Sequence, residues 1–505
     1  MSSSSNSNAT QVDLSHHLSA EARLRKPNPM KEIWRLARRK PDMVSLANGD
    51  PHSSLYPIQK LSFEVASVSS EIDDPVAAWR ARSTTSASSH TVVSTTPSSA
   101  DPSPSCTLPI SAAFQYTTGA GLVETQRAVA ALTTFYHHPP PAAEHVPTLT
   151  LGNADAVTKC FRLLGNPGDH FLADEFTFSS LANAAVPQGI KWVSVKIDEG
   201  GLIPEELEKT LDEWDDERGP RPHVLYTVPC GQNPTGSTLT LERRKKIYEL
   251  AQRFDIMIIE DDPYYFLQYT SSSDSESDSA ALSPSFLSLD VSGRVIRVDS
   301  LSKIVAPGMR LGWITSSPAF HAHLVSYTDS STQHPHAFGQ IFMTELLGPH
   351  GWGLEGFDRW IRSLRGEYQR RRDFFLGVFE REVAGTGLAR AGEPEAGMFV
   401  WVRINVERHP RFRTEKTRAP GARTNCRELM EALFEKCLDE GLVVMPASVF
   451  VLPTDAKYAD AEEPIEDRLN YFRLTFAGTE EAMQQGLSIL GRSLREFFAE
   501  EPQQK

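Results

Sequence analysis

The chain has 505 residues, with 51 lysines and arginines against 65 aspartates and glutamates, for a formal net charge of −14. That length accommodates two domains or one large α/β unit, and the acidic balance argues against a broad phosphate-backbone surface, so no nucleic-acid partner is expected. No run of eighteen apolar residues offers a membrane span, and five cysteines without a CxxC or paired framework suit a reducing compartment.

In chain order, residues 1–18 are serine-rich at first and read as disordered. They hold neither the apolar core of a signal peptide nor an arginine-rich amphipathic start. The last residues are no peroxisomal address, so the cytoplasm is the default compartment. Residues 81–108, rich in Ser and Thr with prolines, read as an insertion too polar to bury a core, as does the serine-rich run 271–284. A third insertion at 406–424 holds the basic cluster Arg408-His-Pro-Arg-Phe-Arg-Thr-Glu-Lys-Thr-Arg418, whose Pro and Gly surroundings place it outside the core. His137-His138, followed by three prolines, reads as a loop, and no metal site is expected. Helices are predicted over 154–164, 181–188, 204–211 and 241–254, with strands over 170–173, 191–197, 223–229, 255–260 and 294–298. This alternation predicts an α/β fold with a mostly parallel central sheet and helices on both faces. A long helix over 353–382 and a mixed region over 398–498, ending in a helix over 482–498, complete the chain.

Four segments carry chemistry. In Ser300-Leu-Ser302-Lys303-Ile-Val-Ala-Pro-Gly-Met-Arg310, a lysine follows a β-branched strand. Burial near another cation would lower the pKa of its amine and ready it to form an imine with an aldehyde. Ser300, Ser302 and Arg310 offer the donors a phosphate needs. In Glu260-Asp261-Asp262-Pro-Tyr264-Tyr265, an acidic pair closes a strand, at the sheet edge where open α/β folds bind ligands. A buried carboxylate there would keep a pyridine nitrogen protonated. Cys230-Gly-Gln-Asn233-Pro-Thr-Gly236 is a turn by its own chemistry and brings an amide donor to a strand end. In Asn470-Tyr-Phe-Arg473-Leu-Thr-Phe476, an arginine on a strand could grip a carboxylate with two N–H groups. Each segment alone also fits a plain turn, a solvated loop or a strand end.

Together their order and spacing, 28 residues from Asn233 to Asp261 and 42 from Asp261 to Lys303, resemble the fold-type I aminotransferases that use pyridoxal 5′-phosphate (PLP). The phrases Glu260-Asp-Asp-Pro-Tyr-Tyr-Phe-Leu-Gln268, Gly293-Arg-Val-Ile-Arg297, Ser300-x-Ser-Lys303 and Ala396-Gly-Met-Phe399 are most similar to the aromatic amino-acid, kynurenine and 2-aminoadipate group. The resemblance runs from about Arg25 to about Phe498. It implies a domain at 109–345 that binds PLP. A smaller α+β domain would combine 19–80 with 346–500.

The resemblance also implies roles. Lys303 would form the imine and move the proton, Asp261 would pair with the pyridine nitrogen, and Tyr264 and Asn233 would hold the ring 3-oxygen. Ser300, Ser302 and Arg310 would bind phosphate, with the backbone of Asn153 and Ala154 at a helix start and Asn153 as its N-cap. There Gly152-Asn-Ala-Asp155 replaces the usual Gly-Ser-Gln-Gln. Phe178 would stack on the ring. Arg473 would bind the substrate carboxylate, beneath a loop holding Gly49. Gln115-Tyr116 resembles the motif whose tyrosine reaches the cofactor of a second subunit, which implies a homodimer. The implied reaction carries the amino group of an aromatic amino acid, kynurenine or 2-aminoadipate to a 2-oxo acid such as 2-oxoglutarate by a ping-pong cycle. Two other readings stay open: a PLP-dependent lyase or decarboxylase on the same fold, and a non-catalytic PLP-sensing domain.

Overall fold

In the computed structural model of the chain, the structure describes residues 12–37, 49–81, 89–95, 106–269, 282–414, 422–455, 457 and 463–499. The chain forms two compact units, one from 1–167, 248–263 and 284–363, the other from 168–247, 264–283 and 364–505.

In the first unit four strands lie side by side in the order Val146–Thr150, Gly312–Ser316, Val295–Ser300, Met257–Asp261. The last two run parallel and the other neighbours antiparallel. Their side chains are buried on both faces, which is why these segments read as nearly continuous apolar runs. Helix Asn153–Leu164 buries Ala156, Val157, Cys160, Phe161 and Leu164. Its N-cap is Gly152, with no side-chain cap bond, so the predicted N-cap role of Asn153 does not hold. Asp155 reaches back instead and accepts from the Leu151 amide at 2.9 Å.

Three further expectations are overturned in this unit. Within 81–108, read as an insertion without a core, Ser89–Thr95 is a strand paired antiparallel with Lys60–Ala66. It alternates, and Val92 and Ser94 are buried although most of its neighbours in sequence are polar. Within 1–18, read as disordered, residues 12–18 are ordered: Leu14, His17 and Leu18 are buried, and both His16 and His17 bond to Asp255. Residues 1–11 lie outside the described ones. The segment 19–80 also groups with this unit, not with the C-terminal residues. Ser19 donates to the Arg162 carbonyl at 2.6 Å, Lys31 to Asp329 at 2.6 Å, and Trp352 to the Ala66 carbonyl at 2.8 Å.

In the second unit His170–Asp174 pairs in parallel with Val224–Thr227 on one side and Lys191–Val195 on the other. A separate antiparallel sheet runs Ala389–Ala391, Phe399–Ile404, Tyr471–Thr475, Met445–Pro446. Helices Cys426–Asp439 and Glu480–Phe498 each present a buried apolar stripe. Within 406–424, read as external, Val406 and His409 are buried, and the His409 ring meets the Phe497 carbonyl at 2.9 Å. Residues 415–421 and the serine-rich 270–281 lie outside the described residues.

Candidate active site

In the first unit, strand Val295–Ser300 delivers Ser300, and the chain then tightens into the turn Leu301–Lys303. Ser300 Oγ accepts from the Ser302 amide at 3.0 Å and donates to Ser302 Oγ at 2.7 Å. Leu301 bonds back to Leu311 at 3.1 Å and closes the loop that carries Lys303, which is half-buried. Arg310, at the loop's far end, is left-handed with φ 44°, a conformation rare in a non-glycine residue and common at functional sites. Its guanidinium lies over Gly152: a Cβ on that residue would stand 2.6 Å from Nη2. Gly152 also has φ +98°, so glycine is needed there for both backbone and space. The result is a cationic fork over a helix start whose first N–H groups, Asn153 and Ala154 included, have no partner within the helix. Such a place binds anions.

Asp261 closes strand Met257–Asp261 and is buried. Asn153 Nδ2 donates to its Oδ1 at 2.5 Å. This side chain, expected to cap the helix, therefore serves the carboxylate. The buried Asn153 Oδ1 has no partner. Gly49 is exposed with no atom within 4 Å of an added Cβ, and the preceding loop residues 46–48 lie outside the described ones. Tyr116 is 52% exposed and meets His334 edge-on at 6.2 Å between ring centres.

In the second unit, Arg473 sits mid-strand opposite Trp401 and Met445. Its guanidinium lies over the rings of Phe399, at 4.4 Å, and Phe450, at 4.9 Å, and Nη1 donates to Asn233 Oδ1 at 2.8 Å. Burial pushes its pKa below the usual arginine value, with the nearby Tyr264 opposing the shift. Tyr264 is buried, its ring edge-on to Phe399 at 5.7 Å. Phe178 is half-buried just ahead of helix Ser179–Ala185. Four residues here escaped the sequence reading. Phe399 and Phe450 each offer a ring face to the arginine. Gln232 accepts from the Thr235 amide at 2.9 Å and donates to the Phe176 carbonyl at 2.6 Å, fixing the Asn233 turn. Gln232 also donates to Asp174 at 3.2 Å, and burial pushes that carboxyl up to about 7. The only local signal was that Gln232 and Phe399 fell inside conspicuous phrases.

Among the described residues one group, His16, His17 and Asp255, has a metal-like arrangement. The imidazoles approach the carboxylate at 2.6 and 3.2 Å, but the Arg294 guanidinium lies 3.5 Å from the same carboxylate. A cation already in place makes this an ion clasp for the N-terminal segment.

The profile of the family "Aminotransferase class I and II" matches residues 91–490. The chain belongs to the class I and II aminotransferases. It is 49% identical to the L-tyrosine:2-oxoglutarate aminotransferase of Serpula lacrymans, over 97% of both chains, and 49% identical to that of Tapinella panuoides, again over 97% of both. Among solved structures, aminotransferase Aro8 from Candida albicans superposes with a TM-score of 0.82 at 31% identity, covering 97% of this chain and 99% of that one. The fold is therefore that of the fold-type I aminotransferases, as the resemblance implied. No helix among the described residues is long and apolar enough to cross a membrane.

The aminotransferase's first unit also fits the cofactor that its family implies. The Gly152 cradle under Arg310 suits a phosphate ester, and Ser300 and Ser302, at the start of the loop that ends on Arg310, offer hydroxyl donors. The buried Asp261 suits a protonated ring nitrogen, and Lys303 falls between these features in the chain.

Proposed function

We propose that this aminotransferase binds PLP and carries the amino group of an aromatic amino acid, L-tyrosine foremost, to 2-oxoglutarate. The observation that carries the substrate choice is the 49% identity, over 97% of each chain, to two enzymes named for that pair. When bound, PLP supplies an aldehyde to take up the amine and a ring that withdraws electrons from the substrate α-carbon.

The chain's own residues do the rest. Arg310, Ser300, Ser302 and the helix-start N–H groups of Asn153 and Ala154 grip the phosphate. Asp261 holds a proton on the pyridine nitrogen by its charge, and Asn153 orients that carboxylate. Asn233 spends its oxygen on Arg473, so its Nδ2 is left to donate to the ring 3-oxygen, with Tyr264 as second donor. Phe178 offers a π-face for stacking. Arg473, held over the Phe399 and Phe450 rings, presents its remaining N–H groups to the substrate carboxylate. Lys303 anchors the cofactor and moves the proton at the α-carbon, a contribution of roughly 10²–10⁴-fold. Gly49 belongs to the loop that closes over the substrate.

A homodimer is part of this reading, supported by the exposed Tyr116 ring in the Gln-Tyr motif. Five free cysteines support a reducing compartment, which we take to be the cytoplasm.

The test is the absorption spectrum of the purified protein with PLP. A visible band that bleaches on adding L-tyrosine and returns with 2-oxoglutarate, and that is lost in Lys303→Ala, is the expected result. A band that forms but never bleaches with an aromatic amino acid overturns the substrate assignment. No band at all overturns the cofactor.

A further inference from the structure

Two strands end at residues that this reading gives to the cofactor. Met257–Asp261 ends on Asp261, and Val295–Ser300 ends on Ser300, just ahead of Lys303. They pair in parallel, with Arg297 opposite Glu260 and Val298 opposite Asp261. Side chains alternate along a strand, so Asp261, Val298 and Ser300 share one face. Glu260, Arg297 and Asp299 share the other, and Asp262 joins them.

On that second face Arg297 binds three carboxylates. Nη1 lies 3.1 Å from Glu260 and 3.2 Å from Asp262, while Nε and Nη2 donate to the two oxygens of Asp299 at 3.0 and 2.8 Å. Glu260 also accepts the Phe286 and Leu287 amides at 2.7 and 3.2 Å. All four residues are buried, none more than 1% exposed.

Stability does not account for this cluster, because desolvating charges costs several kcal/mol each and apolar replacements of buried ion pairs are often neutral or stabilising. Register does. Both strands are buried on both faces. A slip of two residues along the strand would keep each side chain on its own face, so the apolar pattern cannot forbid it. Such a slip would set one of Glu260 and Asp262 where the other stands and carry the second roughly 6–7 Å from the guanidinium, stranding one buried carboxylate while Asp299, on the same strand as Arg297, stays paired. The same slip would move Asp261 along Ser300 by that distance.

We infer that Arg297 is a positioning residue: from the far face of the sheet it grips both sequence neighbours of Asp261, and through Asp299 it fixes that carboxylate's height against Ser300 and Lys303. The inference rests on the proposed pairing of Asp261 with the pyridine nitrogen. Its chemistry is geometric and needs no contact between Arg297 and cofactor or substrate.

The test uses the PLP-loaded enzyme with Arg297→Lys, which keeps the charge and loses the fork, and Arg297→Met. Readouts are PLP affinity, the pH midpoint of the visible band, and thermal unfolding of the apoenzyme. Arg297→Lys is expected to weaken PLP by about ten- to hundredfold, a size typical of outer-shell partners. It should also shift the band's midpoint, and kcat should fall more than KM changes. If thermal stability drops while affinity and midpoint match the wild type, the cluster is merely structural and the inference fails. Should neither Arg297 variant accumulate, Asp262→Asn, which frees one of the three carboxylate contacts, is read by the same criteria. Asp261→Asn serves as the control. If it leaves affinity and midpoint unchanged, the assignment of Asp261 itself falls, whatever Arg297 does.

Discussion

Replacing Asn153 with alanine removes the hydrogen bond donated to Asp261 at 2.5 Å and leaves a buried carboxylate with one donor fewer. A hydrogen bond to a charged group contributes about 1.5–3 kcal/mol. At 1.4 kcal/mol per factor of ten, PLP should bind roughly ten- to hundredfold more weakly. The helix-start N–H groups and Arg310 are untouched, so inorganic phosphate should bind the apoenzyme as well as before. Asn153→Asp should do worse than alanine, because it sets two carboxylates against each other. At 3 Å and an effective dielectric of 20 their repulsion is about 5 kcal/mol, so one of them must take up a proton. The assay is fluorescence titration of apoenzyme with PLP, repeated with phosphate as competitor. An alanine variant that loses affinity for phosphate and for PLP in equal measure would refute this reasoning, since the amide would then serve the phosphate.

Other expectations follow from the same geometry. Gly152→Ala must push the Arg310 guanidinium aside and hold φ +98° with a side chain; phosphate and PLP affinity should fall together by about tenfold or more, the opposite signature to Asn153→Ala in the same competition. Arg473→Lys loses the planar cation over Phe399 and Phe450 and the fork. Steady-state kinetics should show kcat/KM for tyrosine down roughly ten- to a hundredfold, with the PLP band intact. Asp174 is buried with its carboxyl pushed from 3.8 up to about 7. The folded state therefore holds a proton that the unfolded chain has released, and stability falls as pH rises from about 4 to about 7. Asp174→Asn should lose that slope and gain on the wild type between pH 5 and pH 8, as denaturant unfolding at the two pH values will report.

Local pattern made much of this enzyme legible. Helix Gly353–Glu382 falls on the predicted 353–382, and most strands and helices between Asn153 and Ser316 lie within a few residues of expectation. Periodicity, prolines at helix starts and β-branched runs are properties of adjacent residues, and sequence displays them directly. The lysine, acidic and Asn-Pro motifs stood out for the same reason: each is a short phrase at a strand end.

Contacts across long stretches of chain were not legible. Ser89–Thr95 is polar in composition, and only its pairing with Lys60–Ala66 makes it a strand. Residues 12–18 are ordered by an aspartate 238 residues away. Asn153 looked like an N-cap and a phosphate ligand, because nothing near it in the chain announces Asp261, 108 residues on. In the same way Arg297 looked like one more charge in a strand until the parallel register set Glu260 opposite it. The sequence by itself determined which elements form and which residue types carry the chemistry, since both are written in neighbouring side chains. Only the tertiary structure decided what holds those residues in place, because a hydrogen bond or a buried charge is satisfied by whatever the fold brings near, at any distance along the chain.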